Sequence, residues 1–105
     1  STFADKEQRA TYKMLNNIEL IECHNNTYAP HLIKQTLAII ANVGAEYIAH
    51  EDDGKALNSV YGIRNGEIFN ELIIIVEGKT GGVMVVAMSG DIPTSRLGEI
   101  ARIKR

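Results

Sequence analysis

The sequence has few of the residues that carry recognisable chemistry or staple a small fold. Cys23 is its one cysteine, so no disulfide can form within the chain and cysteine use does not indicate a compartment. The apolar runs at residues 72–76 and 83–88 fall far short of the about 20 residues that span a bilayer. We therefore expect no membrane span.

The chain also lacks an excess of charge. It carries 11 Lys+Arg against 13 Asp+Glu, a net charge of -2, with a pI near 5.9. A nucleic-acid-binding domain normally shows a strong basic footprint, so nucleic acid is not expected as a partner. The one basic cluster, at Arg102, Lys104 and Arg105, suits the C-terminal end of a helix.

Catalytic and metal-binding motifs are missing as well. His24, His31 and His50 do not have the spacing of metal ligands, and residues 52–54 lack the later oxygen ligands of a calcium loop. Cys23 and His24 are adjacent on a predicted strand and so point to opposite faces. The loop at residues 78–82 lies between strands, which is not the setting of a phosphate loop. The sequence therefore predicts a non-enzyme without cofactor or metal.

What the sequence does contain is a pair of strands that are apolar on both faces, within residues 67–88. A strand with one face in water alternates between apolar and polar residues, and these do not. The sheet must therefore be covered on both faces.

The remaining pattern places helices around this sheet. We predict a helix at about residues 4–15, a strand at 18–23 and a helix at about 29–42 whose inner stripe is Ile33, Leu37, Ile40 and Val43. Strands follow at 45–51, about 55–64, from 67 and at 83–89, and Gly90 ends the last of them before a final helix capped by Asp91. This order, α-β-α-β-β-β-β-α, predicts a single α+β domain over residues 1–105. Its architecture is a two-layer sandwich on a mainly antiparallel sheet of about five strands.

Asn65-Gly66 is a strong signal for a two-residue hairpin loop and fixes a predicted register. Arg64 then faces Glu67, Gly62 faces Phe69, and Glu71 lies opposite Val60. One sheet face, which the N-terminal helix can cover, is predicted to form a candidate interface of eight residues: Val60, Phe69, Glu71, Ile73, Ile75, Met84, Val86 and Met88.

Four segments, spread over about residues 14–102, carry a family resemblance. They are Met14-Leu15 before residues 18–22, the turn at 51–54, the strand at 71–76, and Gly90-Asp91-Ile92. Their order and spacing resemble the small exported bacterial proteins of the domain of unknown function 4252 family. The resemblance implies a secreted or lipid-anchored protein of the cell envelope or periplasm, with a signal sequence or anchor before the matching segment. No enzymatic activity and no set of functional residues is established for that family, so the resemblance assigns none to this chain.

The function predicted from these observations is an exported, non-catalytic interaction or binding module that meets a protein partner or a second copy of itself through the candidate interface. One alternative is a carrier of a small apolar ligand, with Glu71 as the polar group of its pocket. Another is an enzyme with acid-base groups around Glu71 and His50, joined by Asp52.

Overall fold

The computed structural model describes residues 3–103, and the side chains of residue 6 and of residues 9–100. The elements are α1 (Phe3–Tyr12), β1 (Leu15–Cys23), α2 (Ala29–Val43), β2 (Glu46–Asp52), β3 (Ala56–Asn65), β4 (Ile68–Gly78), β5 (Val83–Pro93), a short 3₁₀ turn (Thr94–Arg96) and α3 (Leu97–Ile103).

The five strands form one sheet in the order β1-β5-β4-β3-β2, and every neighbouring pair is antiparallel. Strands β2 to β5 are a meander joined by short turns. Helix α2 carries the chain from β1 at one edge to β2 at the other. The predicted α+β class, the element order and the five-stranded antiparallel sheet are thereby confirmed.

Each face of the sheet has its own core. On the α3 face, the buried residues are Phe69, Leu72, Ile74, Val86, Met88 and Ile92, with Ile100 of α3 packed on them. On the α2 face they are Ile75, Val83 and Val85, with Ala29 and Ile40 of α2. This is why β4 and β5 do not alternate: their odd and even positions enter different cores, and the chain's own helices lie on both.

Helix α1 is shorter than predicted and lies against α3. It ends at Tyr12, and Met14 and Leu15 lead into β1 instead of continuing the helix. Thr11 of α1 is fully buried and donates a hydrogen bond to the carboxylate of Glu99, which also accepts two bonds from Arg96, at 3.0 and 2.9 Å. The N-terminal helix is thus held by a polar contact to α3.

The predicted hairpin register is wrong. The loop residues are Gly66 and Glu67, with Asn65 paired to Ile68. A loop of Asn65 and Gly66 would require a positive φ at Asn65, whereas in residues 3–103 only glycines have positive φ, Gly66 at 65° among them. Arg64 therefore does not face Glu67 and forms an ion pair with Glu46, Nε to Oε1 at 3.2 Å.

A β-bulge then moves Phe69 to the other face. Ile63 pairs with Glu71 and Arg64 with Phe69, so Asn70 is an extra residue on β4. Because side chains alternate with a period of two, the extra residue places Phe69 on the α3 face with Leu72. Val60 lies opposite Ile74 on that face, and not opposite Glu71.

Gly90 does not end the last strand. Strand β5 continues to Pro93, and Ile92 is completely buried in the α3-face core. A Cβ at Gly90 would overlap the carbonyl oxygen of Met14, and the next N–H, of Asp91, donates to that oxygen at 3.1 Å. The glycine therefore permits a close backbone approach between β1 and β5, and Asp91 is a strand residue instead of a helix cap.

Candidate functional site

The eight predicted interface residues do not share a face. Five lie on the α3 face and three on the α2 face. Phe69, Ile75, Val86 and Met88 are almost completely buried in the two cores, whereas Glu71 is exposed. The predicted common surface is therefore incorrect, because it followed from a register that lacked the bulge. Its members on the α3 face are Val60, Phe69, Met84, Val86 and Met88, and those on the α2 face are Glu71, Ile73 and Ile75.

Two of the three residues on the α2 face line an open groove between the sheet and the C-terminal half of α2. Its volume is about 310 Å³. The lining residues are Asn17, Glu19, Ile39, Val43, Glu71, Leu72, Ile73, Ala87, Met88 and Ser89.

The floor of the groove consists of two cross-strand rows on β4, β5 and β1. Glu71, Ser89 and Asn17 form one row, and Ile73, Ala87 and Glu19 form the next. The middle position of each row, on β5, is small. Small side chains in the centre, with longer ones on either side, leave a depression along β5.

The helix side of the groove is apolar and exposed. The predicted inner stripe of α2 is only partly right: Ile40 is buried and Ile33 is half-buried, but Leu37 and Val43 are exposed, and Ala29 and Thr36 take inner positions. Ile39 is 58% exposed and Val43 47% exposed, and both line the groove. Helix α2 therefore covers its face incompletely, and the uncovered part has an apolar wall.

Two carboxylates flank this apolar surface. Glu71 stands on β4 and Glu19 on β1, separated by the width of β5, with their Cα atoms roughly 12 Å apart. Asn17 donates to Glu19, Nδ2 to Oε1 at 3.4 Å. Of the described residues that line the groove, none is basic. The arrangement suits a ligand that carries positive charge beside an apolar body.

The predicted acid-base groups do not meet. His50 contacts Ser59, Nδ1 to Oγ at 3.2 Å, whereas Glu71 lies opposite Ile63, four positions further along β3. That offset is roughly 13 Å along the strand, too far for a shared proton transfer. Asp52 lies at the β2–β3 turn, paired to Lys79.

The other residues considered for chemistry have structural partners. His24 contacts Glu22 and His31 contacts Gln35, each at 3.3 Å, and Cys23 is half-buried with Sγ directed to the Asn25 carbonyl. Within residues 3–103, no three His, Cys, Asp or Glu side chains are grouped so that they could hold a metal ion.

Residues 52–54 and 78–82 form two neighbouring turns instead of ligand loops. Lys79 Nζ lies 2.7 Å from an oxygen of Asp52, and its backbone N–H donates to the Lys55 carbonyl at 3.0 Å. The Lys79 ammonium and the Gly54 N–H both favour the charged carboxylate, so the pKa of Asp52 is lowered from its ordinary value.

Sequence reasoning missed the exposed apolar residues on β1. Ile18 and Leu20 lie on the α3 face and Ile21 on the α2 face, and they are 45%, 53% and 56% exposed. The signal was available in the segment Ile18-Glu19-Leu20-Ile21-Glu22, which places apolar side chains on both faces of a short strand. What the sequence did not show is that β1 is an edge strand.

The fold and this groove define a small α+β domain with an open groove beside α2 that has an apolar wall. The family model described as "Domain of unknown function (DUF4252)" matches residues 1–100, and the chain belongs to this family. The family resemblance of its four segments is thus confirmed. No curated protein and no solved structure matches the chain. None of the helices within residues 3–103 is long and apolar enough to cross a membrane.

Proposed function

We propose that this chain is a non-catalytic, exported interaction module that binds a segment of a partner protein in the groove between α2 and the sheet. The observation that carries the proposal is the groove itself. It has an apolar wall on α2 and a floor in which Ile73 and Ala87 are flanked by Glu71 and Glu19, and no basic side chain is in its described lining. The partner segment that fits is apolar with lysine or arginine beside it. Location in the cell envelope is part of the proposal and rests on the family resemblance.

The strength of such a contact can be bounded from its parts. Exposed ion pairs contribute about 0.2–1 kcal/mol, so each groove glutamate changes affinity by at most about fivefold. Burying one leucine-sized side chain contributes about 1.5–3 kcal/mol. Most of the affinity therefore comes from the apolar surface, while the carboxylates select the sign of the partner's charge.

The first experiment tests the depression in the floor of the groove. The probe is an end-blocked pentapeptide in which each of two leucines is flanked by lysines. It is titrated into the ¹⁵N-labelled protein, and binding is followed by the changes in NMR chemical shifts. Ala87→Leu fills the depression at β5 and is expected to weaken binding by about tenfold or more. Ala38→Leu, on the exposed side of α2, is the matched control and should bind as the parent does.

The second experiment tests the charges with the same probe. Glu71→Gln is expected to weaken binding about two- to fivefold and to reduce its salt dependence. Glu77→Gln is the control, because Glu77 lies on the same strand and face but roughly 20 Å away. A peptide with glutamate in place of lysine should bind at least about tenfold more weakly. Equal binding of both peptides, or shift changes away from the groove, would contradict the proposal.

A small-ligand carrier is a second candidate, favoured by the volume of about 310 Å³, which reaches the lower range of ligand pockets. Octylamine, octanoate and octanol are the test ligands that distinguish a carrier from a peptide-binding module. A carrier should bind octylamine with one-to-one stoichiometry and lose it in Ala87→Leu, whereas saturable peptide binding without octylamine binding excludes the carrier.

A further inference from the structure

The two edges of the sheet differ in how they meet solvent. Strand β1 pairs with β5 on one side and has no strand beside it on the other within residues 3–103. The backbone N–H and C=O groups on that outer side therefore have no strand partner. Edge strands are commonly protected by charged residues or bulges against pairing with another chain. Strand β2 has both: three acidic residues, at Glu46, Glu51 and Asp52, and a bulge between Tyr47 and Ala49.

Strand β1 has less of this protection: it carries two acidic residues in nine positions, Glu19 and Glu22, against three in seven on β2. Its one bulge lies at the start, between Leu15 and Asn17, and the pairing with β5 is regular from Asn17 to Cys23. Ile18, Leu20 and Ile21 are about half exposed within that regular part. An extended edge with exposed apolar side chains on both faces is suited to pairing with another strand.

We propose that a second copy of this chain occupies this edge, with the two β1 strands paired antiparallel so that the sheets join into one of ten strands. The regular part of β1, residues 17–23, is centred on Leu20. Pairing that part with itself about a two-fold axis normal to the sheet places Leu20 opposite Leu20 of the second copy.

This register is self-complementary in charge. Ile18 lies opposite Glu22, Glu19 opposite Ile21, and Asn17 opposite Cys23, so no carboxylate directly faces another. A shift of one residue in each strand that placed Glu19 opposite Glu19 would bring two like charges together. The shift in the opposite direction, which places Ile21 opposite Ile21, would pair Ile18 with His24, and His24 lies outside β1.

The pairing also extends the groove. Glu19 lines the groove of one copy, and Ile21 of the second copy lies beside it on the same face. Two grooves thereby lie side by side across the two-fold axis. The dimer does not depend on what occupies the groove, so the two proposals can fail separately.

Cysteine scanning tests the register. In a Cys23→Ser background, single cysteines replace Ile18, Glu19, Leu20 and Ile21, and each protein is incubated in a glutathione redox buffer. Side chains directly opposite each other have Cβ atoms about 4.5–5.5 Å apart, which is near disulfide range. Leu20→Cys should give at least about tenfold more disulfide-linked dimer than Ile18→Cys, whose two copies would lie roughly 13 Å apart. A maximum at another position, or no difference among the four, would overturn the register.

Mass measurement by light scattering tests the dimer itself over a range of concentrations. The parent chain should be dimeric, and Leu20→Lys monomeric, because it places two ammonium groups opposite each other. Ile39→Lys, equally exposed but on α2, should remain dimeric. A parent chain that is monomeric at millimolar concentration, or a Leu20→Lys variant that is still dimeric, refutes the proposal. Peptide binding by folded, monomeric Leu20→Lys would show that the groove functions without the dimer.

Discussion

The ring of Phe69 lies against the α-carbon of Gly62, although the two residues are not paired across the strands. A Cβ added at Gly62 would lie 2.7 Å from Phe69 Cδ1 and 2.7 Å from Ile48 Cδ1. The guanidinium of Arg64 lies on the same ring, 5.8 Å from its centroid. The glycine thus makes room for the aromatic side chain that closes this end of the α3-face core.

Gly62→Ala is therefore expected to destabilise the protein by about 1–3 kcal/mol, the usual cost of overpacking a core. The measurement is the free energy of unfolding in urea. Ile48→Val removes the Cδ1 methyl group, which is one of the atoms that the new Cβ would meet, so the double variant should recover part of the loss. Additive losses in the double variant would show that Ile48 is not what resists the new methyl group.

Gly90→Ala should be at least as costly, because the new Cβ would meet the backbone of Met14 and Leu15 instead of flexible side chains. We expect a loss of about 2–3 kcal/mol and faster hydrogen exchange at the start of β1. Gly98→Ala is the control, since Gly98 is in α3 and a Cβ added there would meet no atom within 4 Å. That variant should be neutral or more stable by up to about 1 kcal/mol.

Asp52 should titrate at a lower pH than an ordinary aspartate, because the Lys79 ammonium holds its carboxylate in the charged form. A group whose native pKa is lowered stabilises the fold above its unfolded pKa, and this contribution is lost as pH falls through the native pKa. Carboxyl ¹³C NMR titration measures the value directly. Lys79→Met should raise the pKa of Asp52 towards its ordinary value, and added salt should do so in the parent protein. An unchanged pKa in Lys79→Met would show that the ion pair does not form in solution.

The sequence predicted the class, the element order and the need for cover on both faces, because these follow from local patterns. Leu72, Ile73, Ile74 and Ile75 are consecutive apolar residues, and such a run in a short strand requires two apolar environments. Each of these predictions rests on many residues, so one wrongly assigned residue does not change it.

The register and the site could not be predicted in the same way. One extra residue at Asn70 moves Phe69 to the other face, and no local signal marks the bulge. The groove depends on Ala87 and Ser89 being neighbours of Glu19, Glu71 and the end of α2, which are far apart in the chain. Such relationships require the strand order, which local periodicity does not supply.

The contact between Thr11 and Glu99 gives the last prediction. Thr11 is completely buried, and its hydroxyl donates to a carboxylate that Arg96 also holds. Thr11→Val keeps the shape but removes the donor, so we expect a loss of about 1.5–3 kcal/mol, as for hydrogen bonds to charged groups. In Thr11→Val, the rate of amide hydrogen exchange should increase more in α1 than in β4. Thr94→Val removes a comparable bond, to Glu67 at 3.2 Å near the surface, and should cost less than about 1 kcal/mol. Equal losses in the two variants would show that the buried contact does not hold α1 to α3.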